Sequence, residues 1–222
     1  MLQVSGRWRQ SFPGASVGLL VLDRVSNPAF SEALEAQKRA VEQGLRERFV
    51  DRQSLVNDPV MRAYADYYKK FAKTYHVQQQ RESVLFKGKS IPSVAGLVEA
   101  MFMAELNSGL LTAGHDWQAL QQPLTLDVTG PDEQYVLMNG KLQTVKAGDM
   151  RINDAAGIIS SIIYGPDQRT CILPSTQNVA YVVYAPAGIG QDSVFHHLSE
   201  IRGYVNLFCS NAAVLLQQVH IA

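Results

Sequence analysis

The chain has 222 residues, 46% of them hydrophobic and 18% charged, a composition that excludes a disordered chain and suits one large domain or two small ones. Twenty basic residues balance twenty acidic ones, so overall charge gives no reason to expect a nucleic-acid binder. No segment has the length and apolarity of a membrane span, and the amino-terminal residues lack the apolar run of a signal peptide, so a soluble, cytoplasmic protein is expected.

In chain order, Ser16–Val25 is rich in leucine and β-branched residues and predicts a buried strand. Asn27-Pro28 marks a turn, and Ser31 can cap a helix running to about Phe49, where Ala33, Leu34, Ala40, Val41 and Leu45 recur at helical spacing. Asp58-Pro59 is a second helix start, an N-cap followed by proline at the first helical position. On that helix Val60, Tyr64, Tyr67, Tyr68, Phe71 and Tyr75 share one face, while Arg62, Asp66, Lys69 and Lys73 share another. The aromatic stripe has the period of a packed helix and predicts core rather than a base-stacking platform. A shorter helix over about Gln78–Phe86 leads into Lys87-Gly88-Lys89, and Ser93–Leu110 predicts a strongly apolar helix with Ser93 as N-cap and Gly109 as its stop. His115 and Asp116 are expected in the loop that follows.

From Leu111 the pattern changes. Leu124–Val128, Tyr135–Met138, Gly157–Gly165 and Asn178–Ala185 predict strands, separated by glycine, proline and asparagine turn signals such as Asn139-Gly140. A last amphipathic helix is expected from about Asp192 to Gln218. Helices first and strands later predict an α+β fold with a mixed or antiparallel sheet, and the absence of a linker or repeat predicts a single domain over residues 1–222.

Charge is unevenly placed along this plan. Ten of the twenty basic residues and five acids lie between Arg46 and Lys89, so residues 1–110 carry a net +4 and residues 111–222 a net −4. A local excess of this kind attracts phosphates over about a Debye length, roughly 8–10 Å.

Local motifs exclude more than they establish. Gly88-Lys89-Ser90 has the tail of a phosphate-binding loop, but the glycine required five positions earlier is Ser83, and the preceding segment is helical. Gly14–Gly18 has the glycine-x-serine-x-glycine spacing, yet its strand follows the motif instead of preceding it. Gly188–Ser193 is half of a dinucleotide fingerprint without alternating βαβ units. His196, His197 and Glu200 lack a further ligand nearby, Cys171 and Cys209 fit no metal or redox spacing, and neither a metal nor a cofactor is expected.

Taken together, Lys87–Leu120 resembles a stretch of the B3/B4 domain of the phenylalanyl-tRNA synthetase beta subunit, in its free-standing versions above all. Lys87-Gly88-Lys89, Pro92, Leu97-Val98-Glu99, Gly109-Leu110 and Asp116 carry that similarity. Arg169, Thr170, Thr176 and Asn178 resemble the family's Asp-x-Arg-Thr segment and the turn into the next strand, and Phe12–Asn27 is similar to its opening strand.

The resemblance implies a tRNA-binding, editing-like domain that hydrolyses a mischarged aminoacyl-tRNA in trans, or, as the alternative, a module that holds tRNA or an amino-acid-like ligand without chemistry. On that reading His115, Asp116 and Thr176 are the candidate catalytic residues, and Glu99, Asp167, Arg169 and Thr170 the candidate substrate-binding residues. Lys69, Lys73, Arg81, Lys87 and Lys89 are the candidate RNA contacts. The sequence departs from the family at Ala113, where the bacterial synthetase has histidine, and at Phe102, where asparagine is usual. The family's pocket acid aligns with Asp167 or Gln168.

Overall fold

The computed structural model describes residues 2–222. A short strand β1 (Leu2–Val4) and helix α1 (Gly6–Ser11) precede the long strand β2 (Ser16–Asp23). Helices follow: α2 (Glu32–Arg48), α3 (Arg52–Val56), α4 (Pro59–Lys69), α5 (His76–Phe86) and α6 (Gly96–Ser108). Then come β3 (Leu111–Asp116), β4 (Leu124–Val128), β5 (Gln134–Val136), β6 (Leu142–Thr144), β7 (Met150–Asp154), β8 (Gly157–Ser161), β9 (Gly165–Pro166) and β10 (Asn178–Ala185). Helix α7 (Gln191–Asn206) and strand β11 (Ala213–Ile221) follow β10.

The architecture is α+β. One sheet is antiparallel, in the order β11-β2-β10-β3. A second, in the order β1-β4-β7-β8-β9, is mixed, because β1 runs parallel to β4 while the other pairs are antiparallel.

The four-stranded sheet is the middle layer, and strand alternation assigns its two faces. On one face lie α6 and α7: Tyr181 donates its hydroxyl to Leu97 O at 2.9 Å, and a Cβ at Gly18 would stand 2.6 Å from Val194. Glycine at position 18 therefore lets α7 settle against β2. On the other face, three residues along β10, the Tyr184 hydroxyl meets Ser160 Oγ of β8 at 2.6 Å, which ties the two sheets together.

The aromatic stripe lies in the core, as its spacing predicts, although α4 ends at Lys69 and Phe71 and Tyr75 fall in the connection to α5. Tyr64, Tyr67, Tyr68, Phe71 and Tyr75 are buried, and the Tyr64 and Tyr75 rings stack at 4.2 Å. The Tyr64 hydroxyl donates to Tyr184 O and accepts from Leu111 N–H at 2.8 Å, standing in for a ladder bond where β3 begins.

Several sequence expectations are corrected here. His115 and Asp116 lie in a strand, not a loop, because β3 pairs with β10 over its whole length. The final helix ends at Asn206, and residues expected to continue it form β11 along β2. The N-cap of α6 is Ala95, while the Ser93 hydroxyl bridges Glu35 and Lys38.

Candidate functional site

Helix α6 and strand β3 are joined through Gly109, whose φ of +82° suits glycine at a helix end. This tight connection lays β3 beside the helix that precedes it. β3 is the last strand of its sheet, so its outer edge is open to ligands or side chains.

Three outward peptide positions along that edge fare differently. Thr112 N–H donates to Glu105 Oε1 at 2.6 Å, and Asp116 N–H donates to Thr170 O at 2.8 Å. Gly114 lies midway, so alternation directs its N–H and C=O away from β10 as well. That edge borders a cavity of about 240 Å³ lined by Val98, Met101 and Glu105 of α6, by Leu111–Gly114 of β3, and by Gly165 and Pro166 of β9. A Cβ at Gly114 would come within 2.7 Å of Ile172 and 3.2 Å of the Met101 sulfur, both of them cavity walls.

Glu105 is the acid of this cavity. It is buried, and burial without a cationic partner raises its pKa to about 8, the hydrogen bond from Thr112 only partly opposing this. Sequence reasoning passed it over because it lies inside an apolar helix. The available signal was an acidic residue spaced away from Glu99 by six positions, which puts the two on different faces of one helix.

The sequence-predicted residues gather at the far end of β3. His115 Nδ1 lies 2.7 Å from Thr170 Oγ1, and the Thr170 hydroxyl donates to Asp167 Oδ1. Since that hydroxyl proton is committed to Asp167, His115 donates from Nδ1 and keeps a lone pair on Nε2. Nε2 is buried without a partner. Burial, with Arg169 nearby, lowers its pKa to about 3, so the ring stays neutral. The ring thus links β3 to the Asp167 turn through Thr170.

Asp116 and Thr176 form a second strut. Thr176 donates to Asp116 Oδ2 at 2.6 Å and accepts from Leu173 N–H, while Asp116 Oδ1 accepts from Gln118 N–H. Arg169 divides its guanidinium between Asp154, at 2.8 and 2.9 Å, and Ala119 O, with Asp167 at 3.6 Å. Asp167 and Arg169 line a separate cavity of about 530 Å³, together with residues around β5 and β8. Burial raises the Asp167 pKa, its hydrogen bonds from Thr170 working against this.

Glu99 lies apart from both cavities. It forms a buried ion pair with Lys38 of α2 at 2.7 Å and accepts from Val94 N–H at 2.6 Å, so it fastens α6 to α2.

The basic candidates also separate. Lys69, Lys73, Lys87 and Lys89 are exposed. Arg81 is fully buried and donates to Leu106 O at 2.6 Å and Asn107 O at 2.7 Å. It satisfies the carbonyl end of α6 and is not open to a phosphate. His197, considered with His196 for a metal, is buried between Ser108 and Thr112 at 2.8 and 2.7 Å, and burial lowers its pKa to about 3.

No protein-family model matches the chain, and no curated protein matches it. Its fold is similar to that of an N-terminal fragment of the phenylalanyl-tRNA synthetase beta subunit from Pyrococcus horikoshii, with a TM-score of 0.50 and 8% sequence identity. The likeness covers 99% of this chain and 50% of that one, so the chain spans about half the length of the fragment. No helix among the described residues is long and apolar enough to cross a membrane.

Proposed function

We propose that this chain is a B3/B4-type domain that binds the aminoacylated end of a tRNA, with the cavity beside Glu105 receiving the amino-acid side chain. The observation that carries the reading is the likeness of fold to a synthetase beta-subunit fragment over 99% of the chain. The cavity's apolar walls, Val98, Met101, Leu111, Ile162 and Ile172, suit an apolar side chain, and its few polar groups suit orientation. A continuous core cluster spanning both sheets and the helices supports a single domain.

The tRNA body would be held by the exposed lysines. Lys69 and Lys73 precede α5 and Lys87 and Lys89 follow it, so the two pairs flank a helix roughly 16 Å long. Each phosphate contact would add modestly to a salt-sensitive affinity.

Hydrolysis of the ester in trans is the second reading. It is favoured by the outward Gly114 N–H, which can donate to an ester carbonyl oxygen in the cavity. The His115, Asp116 and Thr176 chemistry expected from the sequence has less support, since His115 bonds to Thr170, Asp116 and Thr176 bond to each other, and none of the three lines this cavity.

A panel of tRNAs, each uncharged, correctly charged or mischarged, tests the proposal by binding and by loss of the ester. Tighter binding on aminoacylation, with ester loss no faster than in buffer, supports the binding reading. Accelerated ester loss moves the account to hydrolysis. Equal affinity for charged and uncharged tRNA overturns the assignment of the cavity to the aminoacyl group.

A further inference from the structure

We propose that the cavity between α6 and the open edge of β3 is a site for a primary ammonium group carried on an apolar body, with Glu105 as its counter-ion. The inference rests on the aminoacyl-end reading and deepens it, because an α-amino ester with an apolar side chain has this chemistry.

The argument begins with what Glu105 lacks. Its Oε1 accepts from Thr112 N–H, and among the described residues no donor meets its second oxygen. No lysine or arginine lines the cavity. Glu99, on the same helix, has Lys38 at 2.7 Å, which shows how this chain fixes a buried carboxylate when the role is structural. An isolated buried carboxylate is unfavourable, and the free protein avoids it by holding a proton. A ligand that brings a positive charge removes that penalty: Glu105 releases its proton to solvent and the carboxylate–ammonium pair forms in its place.

The β3 edge supplies the remaining acceptors. An ammonium has three donors, and the outward carbonyls of Thr112 and Gly114 stand on the same edge as the Glu105 contact. The nearest cation, Arg81 of α5, is spent on the Leu106 and Asn107 carbonyls and does not line the cavity. Tyr64 and Tyr68 of α4, Tyr75 and Tyr184 are neutral, each raised chiefly by burial. His197, beyond Thr112, is held neutral by burial, and His76 at the rim is lowered by burial too.

The test uses 2-phenylethylamine, an apolar body with an amine that stays protonated through neutral pH, as lysine's does. The neutral amide 3-phenylpropionamide serves as control. Binding of the amine, followed by calorimetry on the full chain, should tighten about tenfold per pH unit up to about pH 8 and then level, because ionised Glu105 is the binding form. Glu105→Gln should remove that slope and weaken binding at pH 8.5 by at least about tenfold. The amide oxygen can still accept from Thr112 N–H, so the variant retains the contact that positions the helix. The wild-type pH series is decisive without the variant. Affinity that is flat or falls as pH rises, an amide control that binds equally well, or no binding at millimolar amine would overturn the proposal. If aminoacyl-tRNA binds while the amine does not, the amino group is held elsewhere and this inference alone falls. If the amine binds as predicted while charged tRNA gains nothing over uncharged, the site stands and the tRNA reading falls.

Discussion

The cavity beside Glu105 and the cavity beside Asp167 differ in how their charges are used. In the larger one Asp167 and Arg169 look like binding groups, yet Arg169 is held by Asp154 and Ala119, and Asp167 by Thr170. In the smaller one a single acid, Glu105, faces apolar walls and an unpaired strand edge. A polar group whose bonds are already made within the protein contributes rigidity. One left short of partners at a cavity wall is available to a ligand.

The largest effect should come from breaking a charge used for structure. Lys38→Met leaves Glu99 buried without its cation and should cost about 3–5 kcal/mol in urea unfolding. A loss below about 1 kcal/mol would show that Glu99 does not depend on Lys38. Next, Thr170→Val severs the bonds to His115 and Asp167 and should cost about 1–3 kcal/mol, while leaving amine binding beside Glu105 unchanged. A matching loss of binding would join the two regions into one site.

Glu105→Gln should act in the opposite sense. Burial raises the folded pKa of Glu105 to about 8, against about 4.3 in the unfolded chain. Below about pH 4 both states hold the proton and no penalty exists. As pH rises from about 4 to 8 the unfolded chain releases a proton that the folded chain keeps, so stability falls across that window. The variant should therefore match wild type near pH 4 and exceed it in stability at pH 8. Equal stability at both pH values would mean that Glu105 is not held protonated.

The smallest effect on stability belongs to the surface. Lys87→Glu with Lys89→Glu should shift unfolding by no more than about 0.5 kcal/mol while weakening tRNA binding and flattening its salt dependence. Unchanged affinity would remove this surface from the interface.

The α+β class and the buried tyrosine stripe were legible because both rest on periodicity, which burial enforces directly. The β3 strand was not. Its residues read as a loop beside His115 because only long-range pairing with β10 makes Leu111–Asp116 extended. The same distance effect hid β11, whose partner β2 lies almost two hundred residues away. Site residues were harder still. Motif resemblance singles out His115, Asp116, Arg169, Thr170 and Thr176, and they do converge, but as a bonded network. Whether a side chain ends in a cavity or in the core depends on strand alternation and neighbouring elements, and that is why Glu105 escaped notice while Arg81, now buried under α6, was counted with the surface lysines.

The most direct test is a crystal structure of the chain with a non-hydrolysable 3′-aminoacyl-adenosine analogue that carries phenylalanine through an amide. The account predicts the phenyl ring between α6 and β3, against Met101 and Ile172, with the amino group at Glu105. A ligand seated instead beside Asp167 and Arg169, with the Glu105 cavity closed, would contradict it.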